Sequence, residues 1–314
     1  MPLGPSADTI AAYLASMNIH VMPGAKVFFV RNATSGLLEG AIGGSNGNSG
    51  ASPYEPMSTV FGTTGALAKC TSGRGDVVVV MPGHSETLTS VGTVSVNDVT
   101  IVGVKTGNKR PIFTVNGAID LFSLTGNNVT LQSVECNIVT TDAATAFVNF
   151  AGSGCAAKDL FCIPSATSVN VVDVFTIASG ADNTLIENCR IYNTTVAVNS
   201  FLSIEAAVAR LQVRGCRFYG DTATGGLIDG AVVATFVELE DNVIATIGTT
   251  QPAALLDGNA APLIAIRNHF LGTSATIADN TQLGNLARRS GNFVLEATDG
   301  SASATQVIPA ADVE

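Results

Sequence analysis

Four of the six cysteines, Cys136, Cys162, Cys189 and Cys216, stand 26, 27 and 27 residues apart, and the step continues to Asn242 and His269. A fixed period of this size restricts a chain to stacked supersecondary units, each burying its apolar face against the next. The surroundings repeat as well. Leu211-Gln212-Val213-Arg214-Gly215-Cys216 is echoed by Val237-Glu238-Leu239-Glu240-Asp241-Asn242 and by Ile264-Ala265-Ile266-Arg267-Asn268-His269. Alternation of apolar and polar residues marks a strand with one buried face. The alternation slips by one at Asn188, Gly215, Asp241 and Asn268. Asn, Gly and Asp tolerate a left-handed backbone, so each coil bends there and continues as a second strand. The expectation is an all-β solenoid of about eight coils, roughly 27 residues each.

Composition agrees with that shape. Charged residues are 13% of the chain, against about 25% in a usual globule, and hydrophobic residues are 46%. Net charge is −10, which argues against nucleic acid, because phosphate binding needs a basic stripe. No apolar run approaches the ~20 residues that cross a bilayer. Met1-Pro2-Leu3-Gly4-Pro5 does not read as a secretory leader, so the sequons at Asn32, Asn128 and Asn193 are chance matches.

The pattern apolar-x-apolar-x-Asn-x-x-apolar resembles the repeat of right-handed parallel β-helices of the pectate-lyase-like superfamily. The Asn at the bend resembles that family's asparagine ladder. The opening also resembles the family: Gly44 to Gly50, then Pro53 and Pro56, a helical stretch from Met57 to Cys70, and the strand Val77-Val78-Val79-Val80. The resemblance implies an N-terminal capping helix that plugs the first coil. The boundaries drawn are a helix and attachment segment over 1–40, the β-helix with its cap over 41–298, and a polar tail over 299–314. Residues 6–18 read as a short helix capped by Ser6 or Asp8. The coil around Lys158-Asp159-Leu160-Phe161-Cys162 breaks the alternation.

Each polar constellation has a structural reading and a functional one. The cysteine column reads as small apolar thiols facing inward, all reduced; no CxxC pair suggests a metal, and no cofactor is expected. Glu187, Arg214, Glu240 and Arg267 alternate in sign and read as an outward charge ladder. Asp229 and Asp257, each before glycine and 28 residues apart, are the best carboxylate pair. On adjacent coils they would suit a retaining glycosidase, although Asp-Gly is also an ordinary turn, and the turn is the favoured reading. Arg190 and Arg217 stack without an acid cluster of the lyase type. His84 has no partner His and reads as structural. The glycine-rich stretch Gly43 to Gly50 lacks a P-loop lysine.

The coil pattern, the acidic and aromatic-poor surface and the segment Pro82 to Thr87 resemble β-helices encoded by bacteriophages. The resemblance implies a non-catalytic virion protein, a head decoration or a small spike or fibre module, assembled in the host cytoplasm. Its expected partners are two further copies of itself and capsid or tail proteins. The alternatives are a polysaccharide depolymerase of tailspike type and a non-catalytic adhesin for a host-surface polysaccharide.

Overall fold

The computed structural model describes residues 14–15, 19, 21–32, 42–105, 110–139, 143–164, 166, 169–229, 236–246, 254–256, 263–273, 282–283 and 288–297. The chain is a right-handed parallel β-helix, and every strand pairing among the described residues is parallel. Handedness follows from the right-handed rule for parallel crossover connections. The first sheet stacks ten strands, from Val27–Val30 and Val77–Val80 to Leu263–Ile266 and Arg288–Ser290. The other fifteen strands among the described residues form one sheet running in two columns, the second column of the solenoid from Ser85–Leu88 to Phe293–Ala297 and the third through Phe122–Leu124, Ala144–Phe150 and Val171–Ile177. The long strands Arg190–Ile204 and Arg217–Asp229 turn the corner between these columns and so belong to both.

Left-handed residues mark both edges of the first sheet. Asp98, Asn128, Gly154, Asn183 and Arg210 precede its strands; Ser133, Asp159, Asn188, Gly215, Asp241, Arg267 and Gly291 follow them, all with positive φ. At Gly215 the requirement is double: φ is +65°, and a Cβ would come within 2.4 Å of the Asn188 Oδ1. Arg267, not Asn268, holds the bend of its coil.

This shifts the inward column by one position. Behind the bend stand Leu160, Cys189, Cys216, Asn242, Asn268 and Asn292, all on the inner side of the turn. Asn242 Nδ2 donates to Asn268 Oδ1 at 2.9 Å, and Asn268 Nδ2 donates to Asn292 Oδ1 at 3.0 Å. Each amide also donates to a carbonyl of the preceding coil: Val213, Leu239 and Ala265 in turn. The asparagine ladder therefore consists of Asn242, Asn268 and Asn292, whereas Asn188 is exposed. The thiols of Cys189 and Cys216 take the ladder's place in the two coils below, donating to Ala157 O at 3.5 Å and Ile186 O at 3.6 Å.

The single column of four cysteines is corrected by the same register. Cys136 pairs with Cys162, and Cys162 pairs with Ile191, not Cys189. Cys136 and Cys162 lie within a strand, and Cys189 and Cys216 lie at the bend. The coil at Cys162 then loses its irregularity: Ala157 points in, Lys158 out, Asp159 bends, Leu160 points in and Cys162 points in. All six cysteines are free thiols. Burial, then neighbouring thiols, pushes Cys162 and Cys216 far above the ordinary thiol range, and burial with the Asp76 charge pushes Cys70 up to about 12. Iodoacetamide at neutral pH should therefore leave Cys136, Cys162, Cys189 and Cys216 unmodified in the native protein and label them after denaturation, as mass spectrometry would show. A disulfide between any two of them would contradict the register.

Phenylalanines fill the interior. Phe113, Phe122, Phe147, Phe150, Phe175, Phe201, Phe218 and Phe270 are fully buried. Each contributes on the order of 1.5–3 kcal/mol relative to exposure. Phe150, Phe175 and Phe218 run up the core at centroid distances of 6.4 and 6.1 Å.

The N-terminal cap departs from the expected helix over Met57 to Cys70. The segment forms turns and one short 3-10 helix, Ala66–Lys69. Gly62 takes φ +87°, which breaks an α-helix, and the Glu86 carboxylate captures the amides of Val60 and Phe61 at 2.8 and 3.3 Å. Met57, Val60, Ala66 and Leu67 still close the end of the core. Leu14 and Ala15 are helical; the rest of the helix expected over 6–18 and the tail over 299–314 lie outside the described residues. Leu14 and Ile19 pack on Phe29, Val77, Val79 and Val102, the outer face of the first coils.

Candidate functional site

Several carboxylates among the described residues are bound within the fold. Asp76 is fully buried and accepts from the Lys26 and Thr71 amides at 2.8 Å and from Arg74 Nε and Nη2 at 2.6 Å. Glu86 lies 3.1 Å from His84 Nε2, so the histidine has a carboxylate partner; its ring also packs on Phe113. Asp159 is bound by Lys105, by Arg110 at 2.9 Å and by Ser133 Oγ at 2.8 Å. Burial would raise its carboxyl, but these three donors hold it below the usual range.

The outward charge ladder holds its expected register from Glu187 through Arg214 to Glu240 and departs from it only at Arg267. Glu187 lies 3.7 Å from Lys158 and 3.5 Å from Arg214. Glu240 pairs across the sheet with Ile266, and Arg267 reaches back from the bend to Glu240 and Asp241, each at 2.7 Å. Such partly exposed pairs contribute about 0–1 kcal/mol each.

Of the pair Asp229 and Asp257, the structure describes Asp229 alone. Asp229 ends the strand Arg217–Asp229, paired with Ile204. Asp257 lies outside the described residues. The pairing of Leu227 with Ala254 and Ile228 with Leu255 sets a coil offset one residue shorter than the separation of the two acids.

The structure instead brings together three acids that the sequence did not single out: Asp120, Asp173 and Glu205. Burial raises the Asp120 carboxyl, against the donor Asn149 Nδ2 at 3.0 Å. Asp173 is buried and accepts from Asn199 Nδ2 at 3.0 Å and Ser200 Oγ at 2.6 Å. Burial, then the charges of Asp173 and Asp120, raises Glu205. A carboxyl raised by burial and like charge can retain a proton at higher pH, which is what a general acid requires. The signal for this row was weak. Asp173 lies in Val171–Ile177, where Asp173, Val174 and Phe175 are buried in succession and the alternation of a half-buried strand is lost. Among the described residues no group of three acidic, histidine or cysteine side chains is placed to hold a metal ion.

Two further features lie on the surface. A cavity of about 740 Å³ opens beside the N-terminal segment, with Leu14, Val27 and Phe29 among its apolar lining and Lys26 and Lys69 at its polar positions. On the second column, Arg190 pairs with Arg217 and Tyr192 with Tyr219, all four exposed.

No protein-family model matches the chain, and no curated protein matches its sequence. Solved structures do match in shape. A pectate lyase, Pel9A, superposes with a TM-score of 0.52 at 14% identity, over 92% of this chain and 83% of that one. A rhamnogalacturonan lyase gives 0.46 at 12% identity, over 90% of each chain. The ORF18 protein of Geobacillus virus E2 gives 0.36 at 10% identity, over 75% of this chain and 57% of that one. At the identity of the first, the likeness establishes the fold alone: the chain is a parallel β-helix of the architecture seen in pectate lyase.

Proposed function

We propose that this β-helix is a non-catalytic structural component of a bacteriophage particle, a head decoration or a small spike or fibre module. In this reading residues 1–40 attach the solenoid over 41–298 to capsid or tail proteins. Three copies pack about a common axis, since a parallel solenoid offers one long flat face per protomer. The observation that carries a structural role is the use made of charge. Asp76, Glu86, Asp159, Glu187, Glu240 and Asp241 all bind donors or cations within the chain. They link strands and coils to one another. The phage assignment rests on the resemblance of the coil pattern.

A depolymerase is the second reading, favoured by the raised carboxyls of Asp120 and Glu205 beside Asp173. Two measurements separate the readings. Light scattering should give about three times the 31.9 kDa chain mass. Incubation with bacterial capsule, lipopolysaccharide and pectin should release no new reducing ends and no unsaturated products. Product release that is abolished by D120N with D173N, or by D229N with D257N, would replace the structural reading with the enzymatic one.

A further inference from the structure

Tyr192 and Tyr219 face each other across neighbouring coils. Their rings stack with centroids 5.6 Å apart and planes 16° from parallel, and the residues are 54% and 41% exposed. Their neighbours Ile191 and Phe218 are buried, so the tyrosines point outward. The next coil places Ala245 opposite Tyr219. Ala245 is itself buried, and the exposed surface is that of the two tyrosine rings.

Two residues before the tyrosines stand Arg190 and Arg217, also paired across coils and exposed. Phe161 and Val243 flank them in the same column. Neither arginine has an ion pair among the described residues, whereas Lys158, Arg214 and Arg267 each reach a carboxylate. Like charges directly opposite each other are destabilising in a sheet. The two adjacent guanidiniums therefore do nothing for the fold, and the tyrosines keep much of their ring surface in water.

We propose that Arg190, Arg217, Tyr192 and Tyr219 form a binding platform for an acidic polysaccharide. Coils lie about 4.8 Å apart and two residues along a strand span about 6.6 Å, so the platform has the dimensions of a sugar ring. The C–H face of a pyranose fits the exposed rings of Tyr192 and Tyr219. A uronate carboxylate fits the arginine forks, which bind planar anions bidentately. Asp221, two residues past Tyr219, is an acceptor for sugar hydroxyls. A nucleic acid fits less well: it presents one charge per ~1.7 Å of duplex, against two arginines, Asp221 and a chain of net charge −10. This platform deepens the particle reading by giving it a surface ligand. Its test reads binding alone, so failure here leaves location in the particle untouched.

The experiment is affinity electrophoresis of the full chain in gels containing alginate, hyaluronate or neutral dextran, with single-stranded DNA as a competing polyanion. The variants are R190Q/R217Q and Y192T/Y219T, which keep strand-compatible side chains, each checked for an unchanged melting temperature. The wild type should be retarded by at least one uronate polymer and not by dextran. Each double variant should lose affinity by about tenfold or more, the scale of losing a central contact, and added salt should weaken wild-type binding. Three results would overturn the platform: no retardation by either uronate polymer, equal retardation of folded variants, or tighter binding of the DNA. A variant that loses the oligomer in light scattering would overturn it too, by making the patch a contact between copies.

Discussion

Asn268→Leu is expected to destabilise the fold by about 3–5 kcal/mol, with a fall in melting temperature on the order of 10 °C. The side chain is fully buried. Its amide donates to Leu239 O and Asn292 Oδ1, and its oxygen accepts from the Asn242 amide nitrogen and side chain. Leucine satisfies none of these four groups, and a solenoid passes the defect to both neighbouring coils. Asn188→Gly is the contrasting change. Asn188 is an exposed bend residue at φ 55°, a conformation that glycine takes freely, so the shift should stay within about 0.5 kcal/mol. Urea unfolding of the two variants checks both figures. Equal losses would contradict the ladder drawn from Asn242 to Asn292.

Asp76→Ala should cost about 3 kcal/mol. It leaves the Lys26 and Thr71 amides unpaired and strips Arg74 of its partner. Burial alone would raise the Asp76 carboxyl, but the Arg74 guanidinium and the two amides outweigh burial and hold it below the usual range. A carboxyl depressed in the folded state contributes stability above its unfolded pKa and loses it as pH falls through the folded value. Wild-type stability should therefore fall with acid below about pH 4, from the unfolded carboxyl value downward. The variant should show a shallower fall over the same window in thermal melts, and an identical slope would mean that Asp76 is not the group responsible.

The period was legible because the later coils of the first sheet repeat at near-constant offsets, with Thr184, Leu211, Val237 and Leu263 paired in turn. The pairings of Glu187, Arg214 and Glu240 follow the spacing read from the chain. The cysteine column was misread because a thiol, small and apolar, suits two different sites. Cys162 sits inside a strand and Cys189 behind a bend, yet they are 27 residues apart like true repeats. The register instead pairs Cys162 with Ile191, after a longer connection between strands. The cap was misread for a local reason: Met57 to Cys70 is compatible with a helix, but Glu86, from the following coil, removes two of its amides. The acid row was illegible because Asp120, Asp173 and Glu205 share no motif.

The most direct measurement of the proposed role is quantitative mass spectrometry of density-purified phage particles from lysates of cells carrying this gene. The account predicts the chain in the particle band at a fixed copy number relative to the major capsid or tail proteins, retained after washing in high salt. A chain found only in the soluble fraction of the lysate, with particles free of it, would contradict the account.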